Sequence, residues 1–319
     1  MSFAPNALIR PTTSIAAAIE LHYVCGMLRS TRCLTLLTTF ALFACSEAAP
    51  PPAAPEPPPT AEAPAPEPPP ETTAEPEPAG PPRPEAVAVD IPEDIQKLLA
   101  AEDRDPKDRE LDAGRHPGEL LAFFEIAPGM KVAELGAGTG YTAELLARRV
   151  GKKGKVFAQN PKFVLEKFAE APWSERLKKP VMKPVVRVDR EFDDPLPKEA
   201  KNLDAVFLVL FYHDTYWMEI DRAKMNAAIF KALKPGGVFA VVDHSAAAGP
   251  GSKDVKTLHR IEEDLVKQEI EAAGFQLESE GQFLRNPKDT LDWNDAPSAS
   301  ADKRGTSDRF VLKFKKPAG

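Results

Sequence analysis

From residue 91 onward the chain alternates short apolar runs with longer stretches of helical period. Residues 132–135 carry no polar alternation and end abruptly in a glycine-rich turn, which predicts a buried parallel strand. The longer run LDAVFLVLF at 203–211 predicts a central strand buried on both faces. Residues 155–159, 185–188 and 238–242 supply a second, third and fifth strand. Between them, 141–150, 163–177 and 222–233 read as helices. Residues 254–273 read as one amphipathic helix, with Leu258, Ile261, Leu265 and Ile270 on its apolar face and Gly274 as its stop. A leading helix is expected after Asp90-Ile91-Pro92-Glu93, an Asp cap followed by Pro. The charged residues 102–115 read as a surface connection, and Leu120, Leu121, Phe123, Phe124 and Ile126 as a helical stripe ended by Pro128-Gly129. Residues 275–284 and 310–314 read as two closing strands separated by a polar loop. Strands alternating with helices predict an α/β fold with helices on both faces of the sheet.

The densest chemistry lies in KVAELGAGTGYTAELL, residues 131–146. Gly136, Gly138 and Gly140 fall where the first strand crosses into a helix. Backbone without Cβ atoms can turn sharply there and approach a ligand, and the helix start leaves free N–H groups pointing at it. This is a nucleotide cradle. A dinucleotide fingerprint needs G-x-G-x-x-G, with a third glycine packing helix on strand. Here the spacing is G-x-G-x-G, Tyr141 stands where that glycine should be, and Glu134 lies two residues before the first glycine.

Glu-x-Gly-x-Gly-x-Gly after a first strand resembles motif I of the class I S-adenosylmethionine-dependent methyltransferases. Leu-Lys-Pro-Gly-Gly before the fifth strand, residues 233–237, is a second resemblance, and the paired closing strands a third. The resemblance implies a Rossmann-like, seven-stranded, mostly parallel sheet with an antiparallel last strand, and S-adenosylmethionine as cofactor. It implies cofactor contacts from Glu134, Gly136, Ala137, Gly138, Gly140 and Tyr141. The second strand usually ends in an acid that binds the ribose; here Gln159 and Asn160 stand there, and Asn160 can bond a hydroxyl through its amide. Asp189 and Glu191, just after the third strand, are candidates to accept the adenine amino group.

Ligands of open parallel sheets sit beyond the carboxyl ends of the strands, so Tyr212-His213-Asp214 and Asp243-His244-Ser245 should face the methyl group. His213 and His244 are general-base candidates, because imidazole titrates near neutrality. Asp214 would orient His213 or a substrate amine, and Tyr212 would form an aromatic wall. His116 and His259 read as structural. No H-x-x-x-H or comparable spacing is present, so no metal is expected. The methyl acceptor, a small molecule or a protein group, is not legible, because fold does not fix function. The rival readings are a nicotinamide-dependent oxidoreductase and a non-catalytic envelope binding module.

Composition changes the picture at the N-terminus. Residues 46–90 are nearly all Pro, Ala, Glu and Thr, too poor in large apolar side chains to offset their chain entropy. They read as a disordered linker ahead of one domain at 91–319. The linker carries a net −8 against −7 for the whole chain, leaving the rest near +1, so no nucleic-acid partner is expected. From Met27, a plausible true start, two arginines precede an apolar run ending in Leu42-Phe43-Ala44-Cys45. This resembles a bacterial lipoprotein signal, which makes residues 1–45 a leader and Cys45 the lipidated residue. That implies a membrane-anchored domain in the cell envelope, or a cytoplasmic one if the signal is not used. A monomer is expected. Cys25, Cys33 and Cys45 all precede the linker, so the domain contains no disulfide framework and no thiolate metal site.

Overall fold

The computed structural model describes residues 84–318. The expected leader, the Cys45 lipidation site and the linker as far as residue 83 lie outside the described residues. No described helix is long and apolar enough to cross a membrane. Ahead of the first helix, Val87 N–H donates to Gln282 O and Val89 packs, half-buried, against the core.

Helices α1 (Glu93–Leu99), α2 (Pro106–Arg115) and α3 (Pro117–Phe123) lead into β1 (Lys131–Leu135), α4 (Tyr141–Val150) and β2 (Lys155–Asn160). A continuous helical stretch follows, α5 (Lys162–Val164) and α6 (Glu170–Leu177) joined by a π-helical segment at Leu165–Ala169. Then come β3 (Val185–Asp189), β4 (Leu203–Val209), α7 (Tyr212–Trp217), α8 (Arg222–Ala232) and β5 (Leu233–His244). Helices α9 (Val255–Leu258) and α10 (Glu263–Ala272) and strands β6 (Gln276–Gly281) and β7 (Arg309–Lys315) complete the domain. The sheet order is β3-β2-β1-β4-β5-β7-β6, parallel throughout except for β7, which runs antiparallel to both its neighbours. This is the class I methyltransferase fold, as the sequence motifs imply. The chain reverses its direction of travel across the sheet between β1 and β4, which makes the carboxyl ends of those strands the ligand crevice.

The uninterrupted apolar strands are buried on both faces, as expected. Val132, Ala205, Phe207, Val238, Ala240 and Val242 pack on one side against α1, α3 and α4, while Ala133, Leu135, Val206, Leu208, Phe239 and Val241 pack on the other against α8 and α10. Phe207 is fully buried, so truncation to Ala would cost about 3–5 kcal/mol.

Four local expectations need correction. Residues 102–115 are not a surface connection: Asp105 caps α2 by accepting from Lys107 N–H, and Arg104 and Asp108 are buried. The strand expected at 203–211 stops at Val209, because Leu210 takes a left-handed φ of 56° and swings the chain into α7. The helix expected at 254–273 is broken at His259, also left-handed at φ 59°. There Ile261 bridges Ser245 in parallel, and Ile261 N–H donates to His244 O. The Lys-Pro-Gly-Gly turn lies inside β5 as an irregularity between the Leu203–Leu233 and Ala205–Val238 pairs.

Candidate functional site

Strand β1 delivers Glu134 and the glycine bend to the crevice. All three glycines have positive φ: 67° at Gly136, 56° at Gly138 and 89° at Gly140. Each therefore occupies backbone space that L side chains rarely enter. Their surroundings differ. A Cβ on Gly138 would meet nothing within 4 Å, so this is the open point of the bend. On Gly136 it would fall 2.8 Å from the Phe211 ring, and on Gly140 2.2 Å from the Trp173 ring. The three glycines thus differ: Gly140 admits a buried tryptophan, and Gly136 lies beneath Phe211.

The bend is held from β2 by side-chain amides. Gln159 Oε1 accepts from Gly136 N–H at 3.0 Å, and Gln159 O accepts from Ala137 N–H at 2.9 Å. Asn160 Oδ1 accepts from Gly138 N–H at 2.7 Å, while its Nδ2 donates back to Gly138 O at 3.0 Å. Asn160 is fully buried. Its amide braces the loop through both its oxygen and its nitrogen.

Glu134 is buried at 3% exposure beneath the start of α4. The Thr142 side chain and Ala143 N–H, at the start of α4, favour its charged form. Burial pushes the carboxyl up to about 7, against the pull of Thr142 and the guanidiniums of Arg115 and Arg176. Its Oε2 is buried without a hydrogen-bond partner.

Four further candidate contacts have partners of their own. Tyr141 turns its hydroxyl to Asp112 Oδ1 at 2.6 Å, tying α4 to α2 under the Arg115 guanidinium. Tyr212 is fully buried, donates to Glu269 Oε2 at 2.9 Å and accepts from Asn226 Nδ2 at 3.0 Å, so it forms no wall of the crevice. Asp189 and Glu191 are exposed at the end of β3; Asp189 pairs with Arg187 Nε at 2.8 Å, and Glu191 Oε1 accepts from Lys162 N–H at 3.2 Å.

Beyond β4 and β5 the expected residues do converge, with additions. Asp243 is fully buried and accepts three bonds: His213 Nδ1–H at 2.6 Å, His213 N–H at 2.8 Å and His244 N–H at 2.8 Å. Burial opposes a charge on His213, but Asp243 and Asp214 outweigh it and push the imidazole up to about 10. His244, whose Nδ1 pairs with Asp295 and Ser307, is kept low by burial. His259, read from sequence as structural, lies 4.1 Å from His213 ring to ring. Burial and the charge on His213 push it down to about 4.

Sequence reasoning missed four contributors: His259, Asp295, Phe211 and the acidic face of α2. Only the last left a signal, the alternating charges of residues 102–115. Arg176 donates to Thr139 O at 2.7 Å on the bend, to Asp108 at 2.5 Å and to Glu144 at 2.7 Å, so α2, α4 and α6 are locked together behind the glycines. Phe211 stacks on the buried Phe192, centroids 5.0 Å apart and planes tilted by 33°. Two surface cavities of about 510 and 310 Å³ are lined by α1/α4 residues and by β3 residues, and neither touches the bend.

Residues 113–171 match the family model for protein-L-isoaspartate(D-aspartate) O-methyltransferase, a stretch from the end of α2 through the glycine bend into α6. No curated protein matches the sequence. Among solved structures, the chain is similar to a SAM-dependent methyltransferase from Aquifex aeolicus, with 21% identity and a TM-score of 0.46 over 70% of this chain and 96% of that one. It is similar to a SAM-dependent O-methyltransferase from Thermotoga maritima, with 21% identity and a TM-score of 0.38 over 72% of each chain. It is also similar to the cyclase SpnF, with 16% identity and a TM-score of 0.48 over 71% of this chain and 94% of that one. The family-model match is confined to the segment that builds the glycine bend.

Proposed function

We propose that the domain is an S-adenosylmethionine-dependent methyltransferase acting on a nucleophilic atom of a small molecule or protein. The observation that carries this reading is the bend itself. Gly138 is open at the strand-order reversal, and beside it Glu134 Oε2 is a buried acceptor without a partner. An unpaired buried carboxylate oxygen costs free energy unless a donor reaches it, and an ammonium group supplies one. The cofactor fits these residues once the Phe211 ring leaves Gly136. Glu134 and Gly138 would hold its amino-acid end, with Asp189 or Glu191 available to the base.

When bound, S-adenosylmethionine supplies a methyl group already activated on a sulfonium. The residues of the chain position the acceptor and exclude water. His244, kept uncharged by burial, is the imidazole beyond β5 that can accept an acceptor proton. A nicotinamide reading lacks support at the end of β2, where Gln159 and Asn160 are both spent on the bend.

Calorimetry of the full chain in detergent tests the reading. Saturable heat is expected with S-adenosylmethionine or S-adenosylhomocysteine, and it should be lost in Gly138→Asn, because Asn tolerates left-handed backbone yet fills the open point. No heat with either compound from the wild-type chain would end the proposal. The signal at residues 27–45 would place the domain in the envelope through a lipid on Cys45. Incorporation of radioactive palmitate, absent from Cys45→Ala, is the matching test.

A further inference from the structure

The imidazole cluster contains one atom whose environment the fold alone does not explain. His213 is fully buried, its Nδ1–H is given to Asp243, and its Nε2 has no hydrogen-bond partner. Asp214 Oδ1 stands 3.4 Å from that nitrogen and 3.9 Å from His259 Nδ1. One donor atom from each of His213, Asp214 and His259 lies within 4.8 Å of the other two. Nitrogen and oxygen donors about 2.0–2.1 Å from a tetrahedral Zn²⁺ stand roughly 3.3 Å from one another. The His213–Asp214 separation matches that edge.

The backbone holds the third member in place by a strained device. His259 has a φ of 59°, and the next two residues are fixed: Arg260 donates to Ser245 O and pairs with the buried Asp289, while Ile261 bridges Ser245. Left-handed conformation in a non-glycine residue costs free energy and clusters at functional sites. Asp243 engages Nδ1 and leaves Nε2 as the ring nitrogen on the side of Asp214, the carboxylate–imidazole arrangement that supports metal ligands from behind.

We infer that His213 Nε2, Asp214 and an imidazole nitrogen of His259 form a three-ligand site for a divalent first-row cation of the Zn²⁺ type. Asp243 supports it from outside, and one position stays open to water or to an oxygen of the methyl acceptor. Two imidazoles and a carboxylate with an open fourth position is the ligand pattern of reactive rather than structural zinc. The site rests on its own geometry and does not require the domain to transfer methyl groups.

The test is titration of the full chain in detergent with Zn²⁺ and with Co²⁺, after alkylation of Cys25, Cys33 and Cys45 to remove competing thiolates. One equivalent of each metal should bind, and Co²⁺ should show the strong visible bands of a four-coordinate nitrogen and oxygen set. His259→Gly relieves the left-handed strain and so should fold, yet should bind at least about tenfold more weakly and lose the bands. Asp214→Asn should behave alike, and Asp243→Asn should weaken binding by about 10–100-fold. Absence of stoichiometric binding, or binding unchanged in both His259→Gly and Asp214→Asn, overturns the site. His116→Ala should leave affinity unchanged, and a loss there would mean that the titrated site lies elsewhere and would also overturn it.

Discussion

The two sides of the β1–β4 boundary build their ligand ends in different ways. On the β1 side, contiguous residues 134–141 form the bend, and amides from Gln159 and Asn160 clamp its backbone with neutral hydrogen bonds. On the β4 side, five separate stretches contribute: α7, the end of β5, His259, and two points of the loop before β7. There the organising force is charge, with Asp243 buried among His213 and His244. A backbone-built site loses function but keeps its fold when a side chain intrudes at its open point, Gly138. A charge-built site loses its fold when one partner is removed, because the other is left buried and uncompensated.

That contrast can be broken from either side. The largest effect is expected from Asp243→Ala, which removes the nearer of the two counter-charges on His213, leaving Asp214 alone, and leaves three donors unpaired. Urea unfolding should show a loss of about 3–5 kcal/mol, and a loss below 1 kcal/mol would show that the imidazole cluster is not organised by charge. Gly140→Ala comes next: its Cβ would lie 2.2 Å from Trp173 at a φ of 89°, so a loss of roughly 2–4 kcal/mol is expected in the same assay. A neutral result there would mean that Trp173 moves freely beneath the bend.

Glu134 sharpens the comparison through pH. Its folded carboxyl, at about 7, lies above the unfolded value of 4.5, so the folded state binds the proton more tightly. This contribution to stability is complete below about pH 4.5 and disappears as pH rises through about 7. Glu134→Gln should flatten that part of the urea midpoint against pH, by up to about 2–3 kcal/mol between pH 4 and 8. An unchanged slope would mean that another group carries the titration. The smallest effect is a gain. His259→Gly should raise stability by about 1 kcal/mol by relieving left-handed strain, and thermal unfolding that shows a net loss would mean that the imidazole itself holds the segment.

The legible parts of the sequence were those where one segment decides its own structure. Residues 132–135 and the core of 203–211 read as buried strands because no other element accommodates a run with no polar face. The glycine spacing announced the bend for the same reason. What escaped was decided at a distance. Charges in residues 102–115 looked like solvated surface, but Asp108 and Asp112 meet Arg176, Arg104 and Tyr141. Leu258, Ile261 and Leu265 keep helical spacing across a break that only the Ile261–Ser245 bridge explains. The amide of Asn160 and the hydroxyl of Tyr212 were correctly placed along the chain, yet their partners, Gly138 and Glu269, could not be inferred from position.

Strand β7 has a practical consequence. Because it runs against its neighbours, the chain leaves the sheet beside Gly236 and Gly237, where Lys316 N–H donates to Gly237 O and Gly236 N–H to Lys316 O. That rim is opposite the carboxyl ends of the parallel strands. A fluorophore or an immobilising handle appended after Lys316 would therefore sit on the rim away from the glycine bend and the histidines, and surface-capture assays can be oriented accordingly.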